Sequence, residues 1–300
     1  MDFMTIRLGM IGASEGNGHP YSWSAIFNGY NPKEMQKCGY PVIPAYLNNQ
    51  CWPEAQISGA TVSSVWTQDL QLSRQIAQAS CIGHVSLSLD ELKDRVDGVL
   101  LARDDSENHL DIAKPFLIAG KPIYIDKPIA TSKTALHNLY QYQQYNGQIF
   151  TCSALRYSPD LMLSIEDKLA LGKIIDITAS TPKSWKKYAV HIIEPVLKMI
   201  STDDKLLKTK LILNSNESRT LNIFWESGIS TNFTNLGEVQ DEVQIKINGE
   251  HSSKTLIFKD TFTAFKLALQ DFVDGVVHNE CRSSFEFNIK VVNLIEKGLK

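Results

Sequence analysis

The chain of 300 residues is 43% hydrophobic and 21% charged, the balance of a globular protein long enough to form two domains. Thirty Lys and Arg against 33 Asp and Glu leave a net charge of −3, which excludes a basic field for nucleic acid. No apolar run approaches the roughly 20 residues of a bilayer span and no signal-type segment opens the chain. The five dispersed cysteines lack C-x-x-C spacing and suit free thiols in a reducing cytoplasm, so neither a disulfide frame nor a metal site is expected.

In chain order, "TIRLGMIGA" (5–13) is a short apolar strand ending in glycine, and "YSWSAIFNGY" (21–30) predicts a helix. Residues 29–58 carry prolines and poor periodicity and read as an insertion. "GATVSSVWT" (59–67) is β-branched, and in the following "DLQLSRQIAQAS" (69–80) Leu72, Ile76 and Ala79 share a helical face. Strand–helix pairs continue with "HVSLS" (84–88) and "LDELKDR" (89–95), then "VDGVLLA" (96–102) and "SENHLDIAKPFLIAG" (106–120). "KPIYI" (121–125), a helix over 132–147 and "QIFTCSA" (148–154) complete the series. Alternating short apolar strands and helices predict parallel βαβ units in a doubly wound sheet over residues 1–152. Ligands of such sheets bind beyond the carboxyl ends of the strands.

Residues 153–300 read as a second, α+β domain. A strand over 172–182 and a helix over 188–200 precede "KTKLILNSN", "RTLNIFWE", "GISTNFTNL", "EVQIKING" and "SKTLIFKD" at short spacing. Val243, Ile245 and Ile247 alternate with Gln244, Lys246 and Asn248, the pattern of an open, mostly antiparallel sheet covered on one side. Asn248-Gly249 predicts a turn. The uncovered face suggests a homo-oligomer, a dimer or tetramer.

"GMIGASEGNGHPYS" places Gly12, Ser14, Gly16 and Gly18 between the first strand and the first helix. Glycine there lets the backbone approach a pyrophosphate at a helix N-terminus, although the spacing is not G-x-G-x-x-G, and a purely structural turn is the other reading. Thr67 stands where an acid would bind a ribose, with Asp69 two residues on and Arg74 nearby. The cofactor is therefore NAD or NADP, with a lean to NAD through Asp69.

"VDGVLLARDDSENHLDIAKPFLIAGKPIYIDKPIATS" (96–132), "TCSALRYSP" (151–159), "YAVHIIEPVLKMI" (188–200) and "SSFEFNIKVVNLIEKGL" (283–299) together resemble the Gfo/Idh/MocA oxidoreductases. The resemblance implies a Rossmann domain followed by a mixed α/β domain, and NAD(P)-dependent oxidation or reduction of a sugar or cyclitol. Where the family carries Glu-Lys-Pro this chain has Asp126-Lys127-Pro128, and where it carries Asp-x-x-x-His this chain has Lys187 four residues before His191.

Hydride transfer from an alcohol needs a proton acceptor and a cation for the developing oxyanion. Lys127 is the candidate cation and His191 the candidate acid–base group, with surface or helix-start positions as the plainer readings of each. Glu194 and Lys187 share a helical face with His191, so Glu194 is a candidate for orienting the imidazole. His109 is read as a cofactor-edge residue or as part of an ordinary helix start. Arg156 and Tyr157 reach for substrate or form a structural pair. Lys183, Lys186 and Lys187 attract an anionic substrate or lie in a solvated loop. Two functions follow: a dehydrogenase or reductase of a sugar-like secondary alcohol or ketone, or a dinucleotide-binding sensor or partner subunit that has lost turnover.

Overall fold

The computed structural model describes residues 5–201, 203–214 and 217–300. The chain divides into two compact units, Met1–Ile129 with His137–Thr151 and Phe265–Ser284, and Ala130–Leu136 with Cys152–Ala264 and Phe285–Lys300.

In the first unit the elements run β1 (Ile6–Ile11), α1 (His19–Asn28), α2 (Pro32–Met35), α3 (Val42–Asn48), β2 (Ala60–Trp66), α4 (Leu70–Ala79), β3 (His84–Val85), α5 (Leu89–Arg95), β4 (Gly98–Leu101), α6 (His109–Ile118), β5 (Ile123–Ile125), α7 (Lys133–Tyr140, of which residues 133–136 belong to the second unit) and β6 (Ile149–Phe150). The sheet order is β3-β2-β1-β4-β5-β6, every pairing is parallel, and strand order reverses between β1 and β4. Both faces of β4 and β5 are buried, which explains their unbroken apolar sequences. Residues 29–58 are more ordered than their periodicity suggests. They form α2 and α3, and Met35, Ile43, Leu47 and Ile57 are buried.

The second unit contains α8 (Ile165–Leu171), β7 (Ile174–Thr181), α9 (Trp185–Tyr188), α10 (Val190–Met199), β8 (Leu206–Leu213), β9 (Arg219–Trp225), β10 (Ser230–Asn235), β11 (Gln244–Gly249), β12 (Ser253–Ile257), α11 (Thr261–His278, of which Phe265 onward belongs to the first unit) and α12 (Phe285–Leu299). Its sheet order is β12-β11-β7-β10-β9-β8, antiparallel except for β7 with β10. Ile245 and Ile247 face the core while Lys246 is exposed, so the alternation read in the sequence is that of a sheet covered on one side. The strand expected at "KTKLILNSN" ends at Leu213, and its Ser215-Asn216 end lies outside the described residues. The turn expected at Asn248-Gly249 lies two residues later. Asn248 pairs with Ser253 and Gly249 N–H donates to Ser252 O, which leaves Glu250 and His251 at the tip. Gly249 is required for another reason: a Cβ there would sit 2.1 Å from Leu171 O.

Candidate active site

The carboxyl ends of β1, β4 and β5 bring three acidic or basic side chains together inside the first unit. Lys127 lies two residues past the end of β5 and is 6% exposed. Its Nζ lies 3.9 Å from Asp104 Oδ2. Asp104 follows β4, and its Oδ1 accepts from Ser14 Oγ at 2.7 Å. The Ser14 hydroxyl in turn accepts from the Asp104 N–H, so the glycine turn is tied to the end of β4. Asp126 is fully buried. It accepts from Asn17 Nδ2 at 2.8 Å, from the Lys127 N–H at 2.7 Å, and faces His19 Nδ1 at 2.6 Å. Burial alone would raise its pKa, but the charges of His19 and Lys127 and the bonds from His19 and Asn17 hold it down at about 2.

The glycine turn fits a dinucleotide phosphate on two observations. Gly16 takes φ +75°, with nothing within 4 Å of where a Cβ would stand. Helix α1 starts at His19 directly after the turn, the position from which a helix dipole favours an anion, although its first N–H groups are engaged, His19 N–H by Asn17 Oδ1 and Tyr21 N–H by Gly18 O. Gly12 and Gly18 serve close packing instead: a Cβ would come within 2.6 Å of Pro20 Cγ at the first and of Ile43 Cδ1 at the second.

The ends of β2 and β4 are engaged internally. Thr67 Oγ1 donates to Asp69 O and meets Ser73 Oγ, and Asp69 Oδ1 caps α4 by accepting from the N–H groups of Gln71 and Leu72. Gln68 holds Ala13 by both its N–H and its carbonyl. His109 is buried with Nδ1 3.0 Å from Ile129 O and Nε2 2.8 Å from Arg103 O. Pro128 is buried, and the peptide bond joining it to Lys127 is cis.

In the second unit His191 is the second residue of α10, with Nδ1 2.8 Å from Ser153 Oγ and its ring against Tyr188. Pro195 lies inside that helix. Glu194, one turn on, faces Arg156, whose Nη2 donates to Tyr157 Oη. Burial pushes Glu194 up to about 7, against the opposing charge of Arg156. Lys187 is in α9 and partly buried. Asp104, Asn17 and Ser153 had not been singled out from the sequence. The only local signal was Asp104, an acid just beyond a buried strand. Among the described residues no group of three or more His, Cys, Asp or Glu is placed to hold a metal ion, and no helix is long and apolar enough to cross a membrane.

A parallel sheet in the order 3-2-1-4-5-6, with a glycine turn after its first strand, defines the class of Rossmann-type nucleotide-binding folds. Residues 36–153 match the Gfo/Idh/MocA family model, an "Oxidoreductase family, NAD-binding Rossmann fold". The match begins beyond the glycine turn. No curated protein matches the chain. Among solved structures, scyllo-inositol dehydrogenase from Lactobacillus casei is similar with a TM-score of 0.71 at 13% identity, over 99% of this chain and 97% of that one. Myo-inositol 2-dehydrogenase from Lactobacillus plantarum gives 0.72 at 11%, over 98% and 96%. Myo-inositol dehydrogenase from Lactobacillus casei, in complex with NAD(H) and myo-inositol, gives 0.71 at 14%, over 98% and 93%. At these identities the likeness is one of fold.

Proposed function

We propose that the protein is a nicotinamide-dependent dehydrogenase or reductase of a sugar-like secondary alcohol or ketone. The observation that carries this reading is Lys127, an amine withdrawn from water at the carboxyl end of β5 beside Asp104 and Asp126. The family-model match over residues 36–153 and the inositol dehydrogenases of like fold support it. Gly16 and Ser14, in the turn that leads into α1, are assigned to the dinucleotide phosphates. Asp69 is assigned to the ribose through the carboxylate oxygen that does not cap α4, which favours NAD.

The bound nicotinamide would supply the hydride acceptor or donor. Lys127 Nζ offers a fixed positive charge to the substrate oxygen, where negative charge grows as the carbon loses hydride. The hydroxyl proton passes to an imidazole. His191, its ring held through Nδ1 by Ser153, is assigned to substrate. Arg156, Tyr157, Glu194 and Lys187 are assigned to substrate, with the cations favouring an anionic one. The uncovered face of the second sheet is assigned to a second copy of the chain.

The test is fluorescence titration with NADH and NADPH, followed by nicotinamide absorbance with myo-inositol, scyllo-inositol, sugars and sugar nucleotides. Binding with turnover of any of these is the expected result. The second reading, a sensor or partner subunit without turnover, is favoured by Lys187 standing where the family carries an aspartate, and NADH binding without turnover across the panel would select it.

A further inference from the structure

His19 opens α1, directly after the glycine turn, and its surroundings differ from those of the other histidines. Nδ1 lies 2.6 Å from Asp126 Oδ2, and that carboxylate is 1% exposed. The ring is clamped on two sides. It stacks on Trp23 at 4.9 Å and 13°, and meets the edge of Phe265 at 5.0 Å and 74°. The His19 N–H is itself held by Asn17 Oδ1 at 2.8 Å, and Asn17 is bound to the same carboxylate. Among the described residues nothing bonds Nε2, and this nitrogen is not among the buried unpartnered atoms, so it reaches solvent.

An imidazole with Nδ1 fixed by a buried carboxylate is held in the tautomer that leaves a lone pair on Nε2. The carboxylate then stabilises the imidazolium formed when Nε2 takes a proton. Among the described residues the ring makes no other polar contact, and the backbone bonds of His19, to Asn17 and from Ser22, do not involve it. The charged groups around it are Asp126, Lys127 on the adjoining residue, and Asp104 beyond Lys127. At His191 a hydroxyl, Ser153 Oγ, lies against Nδ1.

We propose that His19, oriented by Asp126, is the proton acceptor and donor of the reaction. This deepens the function proposed above and rests on it. In the oxidising direction the C–H bond breaks with its electron pair passing as hydride to the oxidised nicotinamide. The O–H bond breaks with its proton passing to His19 Nε2, and the carbon–oxygen double bond forms. Reduction runs each step backward.

His19→Asn separates this role from a merely structural one, since its amide can still donate to Asp126 but cannot carry a proton near neutral pH. Wild type and variant are compared in NADH binding, thermal melting and the pH dependence of kcat with NAD and myo- or scyllo-inositol. A second arm needs no substrate: carbethoxylation by diethyl pyrocarbonate, located by mass spectrometry, with and without saturating NADH. The expected result is melting and NADH binding near wild type, with kcat lower by about 10²–10⁴-fold and its dependence near neutral pH lost. Residue 19 is labelled in the free protein and protected by NADH. Wild-type kcat and pH profile in His19→Asn, or full labelling of His19 with NADH bound, overturns the proposal alone. Failure of the intact protein to bind NADH overturns the reading beneath it.

Discussion

Arg156 Nη1 lies 3.5 Å from Glu194 Oε2 in the second unit, with both side chains withdrawn from solvent. Burial nonetheless lifts the Glu194 carboxyl to about 7. An acid whose folded pKa exceeds its unfolded value of 4.5 binds more protons folded than unfolded, so stability falls as pH rises between about 4.5 and 7 and levels off above. Urea melts across this range should show that fall, and Glu194→Gln should flatten it. Arg156→Met strands the carboxylate. It should cost on the order of 3–5 kcal/mol above pH 7 and much less at pH 5, where Glu194 is protonated.

Lys127 gives a test of chemistry against binding. Lys127→Met keeps much of the side-chain volume and removes the charge beside Asp104. If Nζ acts on the growing oxyanion, kcat should fall by about 10²–10³-fold while the NADH dissociation constant stays within about threefold. Stopped-flow transfer measured beside fluorescence titration separates the two. A variant with unchanged kcat would assign Lys127 to packing alone.

Asp69 has two oxygens and two assignments. Oδ1 caps α4, so Asp69→Ala should lower stability by about 1 kcal/mol. Asp69→Asn keeps an acceptor for the cap and removes the charge that would repel a 2′-phosphate. Melting of the Asn variant should match wild type, while the ratio of NADPH to NADH affinity should rise. An unchanged ratio would confine Asp69 to capping and leave the ribose to another group.

The extent to which sequence disclosed structure follows from the range of the forces involved. Strands β4 and β5 were legible because burial on both faces demands unbroken apolar runs, here bounded by Gly98 and Pro122. Lys127 was legible because it follows such a run. The excursion at 29–58 was not, since helices of four and seven residues are shorter than the window in which period 3.6 shows. Helix α11 went unassigned although Phe262, Leu269, Phe272 and Val273 are buried at helical spacing. Exposed Leu267 and Val277 blur that stripe. The ties that build the site join residues far apart, Asn17 with Asp126 and Ser14 with Asp104, and no local pattern encodes such pairings. Asn248-Gly249 misled for a different reason, because glycine there answers the Leu171 carbonyl and not a turn.

Gly298 sets two effects of known sign against each other. It lies in α12, where alanine is favoured over glycine by about 1 kcal/mol. A Cβ there would stand 2.1 Å from Cε2 of Trp185, whose indole is 2% exposed and donates from Nε1 to Ile295 O at 2.9 Å. The ring cannot retreat without breaking that bond inside a packed core, and overpacking of this kind costs about 1–3 kcal/mol or more. Gly298→Ala should therefore destabilise despite the better helix former, with the midpoint of urea unfolding lowered. Gly298→Ala combined with Trp185→Leu removes the overlap and should recover the helix preference, so the two substitutions should be strongly non-additive. A Gly298→Ala protein as stable as wild type would mean the ring has room to move.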